Sequence, residues 1–236
     1  MSRQYLIIDG HDSRDYGVYI SGQGTFGSPA REYELIDIPG RNGALIGQER
    51  RFETATVAYP TFIVRNFREN ITAFRGLIAS RDGYFRLEDT YHPEEYRLAI
   101  YRGGLEPDVL DNNRAGRFDI AFECKPQRFL KTGEDTVTLT TTGTINNPTE
   151  FDARPLLRVY GVGVLGIGSQ SVTISEADVY TDIDCDIMEA YKGTASRNAY
   201  VTVSGNDFPT FAPGTNNISL GSGISRVEVT PRWWRI

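Results

Sequence analysis

The sequence predicts a mainly β protein made of two β-sandwich-type domains, with one α-helix in the N-terminal domain. Three observations carry this prediction: apolar and polar side chains alternate along much of the chain, turn signals recur every ~8–12 residues, and only one segment has helical spacing. One apolar and one polar face is typical of half-buried antiparallel strands. With 236 residues, of which 39% are hydrophobic and 24% charged, the chain has enough apolar side chains for packed cores.

The strands with the clearest alternation lie in residues 95–102, 117–124, 179–187 and 225–231. In each segment the apolar side chains recur at every second position, and most of those between them are polar or charged. We expect the apolar positions to face a core, and these positions are Tyr96, Leu98 and Ile100, then Phe118, Ile120, Phe122 and Cys124, then Val179, Ile183, Cys185 and Ile187, and finally Val227 and Val229.

Residues 66–80 are the one segment whose apolar side chains follow the helical period. They predict an amphipathic helix that lies over a sheet, with a partner-binding helix as the alternative. Asn66 is placed to cap its N-terminus, Glu69 to complete a capping box, and Gly83 to supply a left-handed residue after its end. The apolar stripe consists of Phe67, Ile71, Phe74, Leu77 and Ile78.

A domain boundary is expected in residues 130–145, a stretch rich in Thr, Gly and Asn. We place an N-terminal domain at residues 1–135, containing the helix at about 66–80, and a C-terminal domain at residues 136–236. Beyond the boundary the chain shows only strand and turn patterns, so we expect the second domain to be all β.

Two turn signals follow one another within five residues, from Pro39 to Gly43. Pro39 and Gly40 fit a type II turn, and Asn42 and Gly43 fit a two-residue type I′ hairpin turn. Together they hold Arg41, a residue suited to a bidentate contact with a carboxylate, at a stiff hairpin tip. We predict that this tip contacts another copy or another partner, and a plain hairpin with no such role is the alternative.

Histidines and glycines give no catalytic or phosphate-binding pattern. A Ser-His-Asp site needs a histidine base, but His11 and His92 both lie in polar, turn-like loops that explain them. Gly161, Gly163 and Gly166 match Gly-x-Gly-x-x-Gly, yet a strand-like segment follows where a dinucleotide site needs a helix. We interpret these glycines as β-turns and a bulge, and we predict no enzyme activity and no cofactor.

The acidic run Asp182, Asp184 and Asp186 resembles the start of a calcium-binding loop. Ile187 and Gly193, however, occupy the positions where such a loop has Gly and Glu. A spacing of two suits a strand that holds its carboxylates on one solvated face, so we predict no metal site.

Composition and charge argue against further classes of protein. A formal net charge of −6 does not favour a partner that is gripped by its phosphates. No run approaches the ~18 apolar residues that a membrane span needs, and the N-terminal residues lack a signal-peptide pattern, so we expect no membrane insertion.

Cys124 and Cys185 lie on the apolar phase of strands, so we predict two buried free thiols. Free thiols suit a reducing cytoplasm, and a disulfide between the two cysteines is the alternative.

Eight segments, in order, resemble the distal tail protein (Dit) family of siphophages and related prophages of Gram-positive hosts. The N-terminal segments are DSRDYGVYISG, DIPGRNGAL, GYFRLEDTYHPEEYRLA and FECKPQRFL, and the C-terminal ones are NPTEFDARPLLRVYG, DIDCDIMEAY, FPTFAPGTNNIS and VEVTPRWW. The resemblance covers nearly the whole chain, and the order and spacing of the segments carry it.

The resemblance implies a structural protein of the distal end of the virion tail, made in the cytoplasm of the bacterial host. The N-terminal domain, a β-sandwich with a helix and a projecting hairpin, would form a homohexameric ring, and the C-terminal domain would be a galectin-like β-sandwich outside it. The ring would join the tail tube protein to the tail tip or baseplate hub protein. The tape measure protein and DNA would pass through its hole without specific binding.

A carbohydrate-binding β-sandwich module is the alternative function. Trp233 and Trp234 would then stack on sugar rings, with Tyr191 or Tyr200 as further candidates. An esterase or glycosidase is a third hypothesis, for which the sequence provides no distinctive pair of carboxylates.

Overall fold

The computed structural model describes residues 3–22, 24, 26–205 and 207–236, and its chain divides into two compact units. The first unit comprises the residues up to Arg128 together with Ile236, and the second comprises Phe129–Arg235. The domain boundary expected after residue 135 thus lies a few residues beyond this division. Each unit has its own hydrophobic core.

The first unit is mainly β with a single α-helix among its described residues. Its elements are β1 (Leu6–Ile8), β2 (His11–Asp12), a 3-10 turn (Ser13–Tyr16), β3 (Val18–Ile20), β4 (Arg31–Asp37), β5 (Ala44–Phe52), β6 (Ala55–Ile63), α1 (Phe67–Ala79), β7 (Phe85–Asp89), β8 (Glu95–Ile100), β9 (Asp108–Leu110) and β10 (Ala115–Leu130).

One antiparallel sheet holds most of these strands, in the order β2-β1-β7-β8-β10-β6-β3, and β9 pairs with β10. An antiparallel bridge between Gln4 and Ile20 joins the residues before β1 to β3, so the sheet folds back toward its own start. The apolar phase of β10 faces the enclosed core as predicted, with Phe118, Ile120 and Phe122 buried. β4 and β5 pair only with each other among the described residues.

The helix expected near residues 66–80 is α1, and its apolar stripe packs into this core. The predicted capping box is wrong, because Asn66 has a left-handed backbone (φ 50°, ψ 42°) and its side chain makes no capping hydrogen bond. The N–H of Phe67 instead donates to the carbonyl of Arg114 at 3.2 Å. The buried side chains of the helix are Phe67, Ile71, Phe74 and Ile78, and Leu77 is partly buried beside them.

β8 faces the core with the phase opposite to the predicted one. Its buried side chains are Glu95, Arg97 and Ala99, and its half-buried ones are Tyr96, Leu98 and Ile100. Glu95 is tolerated inside because it forms a 2.6 Å ion pair with Arg128, and buried charges need such partners. The alternation of apolar residues therefore predicted the wrong buried face for β8, because a buried ion pair places the face with the charged side chains inside.

The second unit is a β-sandwich. Its elements are a 3-10 turn (Lys131–Glu134), β11 (Val137–Leu139), β12 (Gly143–Asn147), β13 (Leu156–Gly161), β14 (Gly163–Ile167), β15 (Gln170–Ile174), β16 (Tyr180–Asp184), β17 (Glu189–Lys192), β18 (Ala195–Ser196), a 3-10 turn (Asn198–Tyr200), β19 (Val201–Val203), β20 (Gly214–Leu220), β21 (Ile224–Thr230) and β22 (Trp234–Arg235).

Two sheets form the layers of this sandwich, in the orders β11-β21-β13-β16-β17-β18 and β12-β20-β14-β15-β19. As predicted, Ile183, Cys185, Val227 and Val229 are buried in its core. Val179 and Ile187, which were also expected inside, are exposed and lie outside β16, which begins at Tyr180 and ends at Asp184.

The glycine-rich segment 161–168 forms strands and turns rather than a phosphate-binding loop. It lies in β13 and β14, and β15 follows where a dinucleotide site would have a helix. The register of β13 against β21 shifts between Tyr160 and Gly161, which confirms the predicted bulge. Among the described residues, no helix combines the length and the apolar character that crossing a membrane requires.

Candidate functional site

The hairpin β4–β5 is the candidate site, and it is a two-stranded ribbon. A hairpin of only two strands is marginally stable in water, because it has no third strand or helix on which to bury a face. The residues from Glu32 to Asp37 are all exposed. Among the described residues neither edge of the ribbon pairs with a further strand, and β4 presents exposed side chains on both of its faces.

The hairpin tip confirms one of its two predicted turns and corrects the other. The N–H of Arg41 donates to the carbonyl of Ile38 at 3.1 Å, and Gly40 has φ +81°, as a type II turn with Pro39 at its second position requires. The type I′ turn is wrong. Asn42 is not among the residues with positive φ, and β4 and β5 first pair at Asp37 and Ala44, which leaves a six-residue loop, 38–43.

Arg41 lies at this tip with an exposed side chain, and it has no ion pair with any described residue. Gly43 also has a left-handed backbone, at φ +82°. The loop is thus held in a defined shape by two glycines and a proline, with a guanidinium group presented to solvent.

Both faces of the ribbon carry exposed apolar side chains, a feature that the sequence argument did not use. Leu35 pairs in register with Ile46, and Ile36 pairs with Leu45 on the opposite face. Leu35 is 66% exposed and Ile46 62%. The sequence signal was present: apolar residues occupy both phases of each strand, which is unusual for a strand with one solvated face.

A buried polar cluster in the first unit contains one of the two histidines. Asp89 accepts hydrogen bonds from the hydroxyl of Tyr59 at 2.8 Å and from the backbone N–H of His92 at 2.9 Å, and the His92 ring lies 3.1 Å from the same carboxylate. Burial raises the pKa of Tyr59 well above its usual value, and the adjacent Asp89 adds to this effect. The adjoining cavity, of about 10 Å³, barely admits one water molecule, so the cluster has no room for a substrate.

Two of the three carboxylates of the acidic run in the second unit form ion pairs with arginines instead of facing solvent, which corrects the prediction for Asp182 and Asp184. Asp182 accepts hydrogen bonds from Arg158 at 2.7 and 3.0 Å, and Asp184 from Arg232 at 2.7 and 2.8 Å. Burial acts to raise the pKa of Asp184, but the hydrogen bonds and the charge of Arg232, together with the backbone N–H groups of Asp186 and Ile187, outweigh it and lower that pKa. Both carboxylates are committed to arginines, and the described residues contain no group of three or more His, Cys, Asp or Glu that could hold a metal ion.

The two tryptophans proposed for sugar stacking both pack against other side chains of the second unit. Trp233 is 5% exposed and its ring packs against Phe211, so a sugar cannot reach it. Trp234 is half-buried: its ring stacks on Phe151 at a centroid distance of 4.4 Å, and its Nε1–H donates to the carbonyl of Asp152.

Both cysteines are buried free thiols, as predicted. Burial raises the pKa of Cys124 to about 11 and that of Cys185 to about 12. Neither thiol therefore has the lowered pKa that a nucleophilic cysteine requires.

Solved structures of a bacteriophage Dit protein and of a bacteriophage baseplate are similar in fold to this chain. The chain matches a structure described as SPP1 Dit (gp 19.1), a paradigm of the hub adsorption apparatus in Gram-positive infecting phages, with a TM-score of 0.77, 12% identity and full coverage of both chains.

Two structures of the phage p2 baseplate in its activated conformation also match. The strontium form has a TM-score of 0.54 at 11% identity, covering 100% of this chain and 99% of that one; the calcium form has 0.50 at 10%, covering 97% and 98%. No protein-family model and no curated protein matches the sequence. At these identities the likeness is one of fold.

Proposed function

We propose that the chain is the distal tail protein of a siphophage-type tail and acts as a structural hub. In this proposal it assembles into a homohexameric ring that joins the tail tube to the baseplate or tip. The full-length likeness in fold to the SPP1 hub protein supports the proposal, and so do the ordered matches of sequence segments along the chain.

One observation in the structure supports the proposed self-association. The β4–β5 ribbon exposes large apolar side chains on both faces, yet it has no third strand among the described residues to support it. Exposed apolar surface of this kind marks a contact site, and a two-stranded ribbon gains stability when a partner covers it. Contacts through Pro39, Gly40, Arg41, Asn42 and Gly43 belong to the same proposal.

The partners follow from a position between tube and tip. They are further copies of the chain, the tail tube protein, the tail tip or baseplate hub protein, and the tape measure protein. DNA passes through the ring without specific binding, and a net charge of −6 suits this, because each phosphate that a protein neutralises would add affinity. The protein acts in the virion tail without catalysis and without a cofactor.

The carbohydrate-binding alternative has no comparable support. Of its candidate residues, Trp233 is buried and Trp234 already stacks on Phe151. Tyr191 and Tyr200 are both half-buried, and the Arg197 guanidinium lies 5.5 Å from the centre of the Tyr200 ring. A likeness of fold gives no ligand.

Light scattering over a range of protein concentrations, with negative-stain images of the same fractions, tests the proposal. We expect a mass of six chains and end-on views of a ring with a central hole. A monomer at every concentration, or an open filament, would contradict the hexameric ring.

A further inference from the structure

We propose that the tip of the β4–β5 hairpin docks in an acidic groove on the first unit of the next copy, where Arg41 meets Glu106, Asp108 and Asp119. This inference rests on the proposed self-association and names the acceptor surface for the hairpin. It concerns a contact between two copies of this chain.

The groove has a volume of about 710 Å³ and lies along the outer side of strands β6, β9 and β10. Pro60, Phe62 and Val64 of the β6 strand and its continuation contribute apolar surface, together with the 36% exposed Leu110. The groove is thus apolar along part of its wall and open to solvent, which is the form of a site for a short protruding segment.

The remaining wall carries an excess of negative charge. Glu106, Asp108 and Asp119 line the groove against a single base, Arg117, so carboxylates exceed guanidinium groups by two. All four side chains are exposed, and none has an ion pair with a described residue, although Arg117 lies opposite Asp108 in the strand register. Unpaired like charges in one groove favour a cation that enters it.

The hairpin tip has the complementary chemistry. Arg41 is an exposed cation without an ion pair among the described residues, and its planar guanidinium forms bidentate contacts with carboxylates. Gly40 and Gly43 beside it have no side chains to obstruct entry, and Pro39 offers apolar surface toward the groove wall. The type II turn fixes this shape in advance, which lowers the entropic cost of docking.

The two surfaces are different parts of the same chain, so the contact is head-to-tail. A head-to-tail contact repeats from copy to copy and closes into a ring when the rotation allows it. The hairpin and the groove are therefore a complementary pair of surfaces on one chain, of the kind that a ring needs.

Charge reversal tests this contact. Arg41→Glu should raise the concentration at the midpoint of assembly by at least ~tenfold in light scattering, because a carboxylate would then face carboxylates. Arg75→Glu, an exposed change on α1 with the same effect on net charge, should leave the midpoint unchanged. Combining Arg41→Glu with Asp108→Arg and Asp119→Arg in one chain should restore assembly, which a defect in folding would not allow.

The outcomes separate the two proposals. A wild-type ring that forms equally well with Arg41→Glu, or a charge-swapped chain that fails to reassemble although its circular dichroism is native, overturns the groove contact and leaves the hub intact. A wild-type protein that stays monomeric at every concentration overturns the self-assembling ring and this contact with it.

Discussion

The ion pair between Asp184 and Arg232 is the residue-scale feature with the clearest energetic consequence. The Asp184 carboxylate is buried, and Arg232 has a left-handed backbone at φ 60°, which is unfavourable for a residue with a Cβ. The two hydrogen bonds between their side chains satisfy a buried charge and help to hold that backbone in place.

Asp184→Asn should lower the free energy of unfolding of the second unit by about 2–3 kcal/mol, since it leaves Arg232 without a charged partner. Urea denaturation followed by tryptophan fluorescence measures this, because the only two tryptophans of the sequence, Trp233 and Trp234, both lie in that unit. Asp152→Asn, at an exposed residue of the same unit, is the control and should change little.

The same pair predicts how stability depends on pH. The pKa of Asp184 is lowered by folding from its ordinary value of 3.8, so the folded state binds fewer protons. The stabilisation is therefore present above about pH 4 and is lost as the pH falls through the lowered pKa. The difference in stability between wild type and Asp184→Asn should shrink in that acidic range, and a constant difference down to pH 2 would contradict the assignment.

At the scale of elements, sequence patterns predicted the type of each element well. They predicted less well which face of a strand is buried. The alternation of β10 and the helical stripe of α1 were sufficient because apolar burial dominates both. They failed at β8, where an ion pair between Glu95 and Arg128, distant in sequence, placed the charged phase inside. The predicted capping role of Asn66 was also wrong, because capping depends on the backbone angles of that residue, which the sequence pattern does not give.

The candidate hairpin was predicted in part. The type II turn followed from Pro39 and Gly40, whose conformational limits are local. The length of the loop did not follow from the turn residues. The pairing of Asp37 with Ala44 is set by the register of the whole strands rather than by the Asn-Gly dipeptide. The exposed apolar pairs on both faces can be interpreted only from the tertiary structure, in which neither strand pairs with a third one in the part of the chain that the structure describes.

Close backbone packing explains the glycines at the β13–β14 connection. Gly161 has φ +105°, and a Cβ placed there would overlap the carbonyl oxygen of Gly223 on the neighbouring turn. Gly161→Ala should therefore destabilise the second unit by more than about 2 kcal/mol, through both backbone strain and overlap. Gly168→Ala is the matched control: its φ is also positive, at +57°, but the added Cβ meets open space. Equal losses in the two variants would show that the overlap contributes nothing.

The apolar surface of the hairpin should affect assembly without affecting the fold of the monomer. Leu35→Asp places a charge on the ribbon face and should weaken self-association by at least ~tenfold, while changing monomer stability by less than about 0.5 kcal/mol. Sedimentation velocity and thermal unfolding measure the two effects. Ile187→Asp, at another exposed apolar residue (57%), should leave assembly unchanged. Loss of monomer stability on Leu35→Asp would show that the ribbon is packed rather than free.

At the scale of the whole molecule, the two units have separate cores, and each contains one buried cysteine. With the pKa of Cys124 raised to about 11 and that of Cys185 to about 12, less than ~1% of either thiol is ionised at pH 8. Burial also denies reagents access, so each thiol should react only when its own unit opens.

Thiol labelling at pH 8 can therefore follow the opening of each unit within the intact chain. We expect the native protein to resist a thiol reagent, and Asp184→Asn to accelerate the labelling of Cys185 while leaving Cys124 as slow as in wild type, because the lost ion pair stabilises only the second core. The variants Cys124→Ala and Cys185→Ala assign each phase to its thiol. Equal acceleration of both cysteines would mean that the two units open as one cooperative body, and the stability of the protein would then have to be treated as a property of the whole chain.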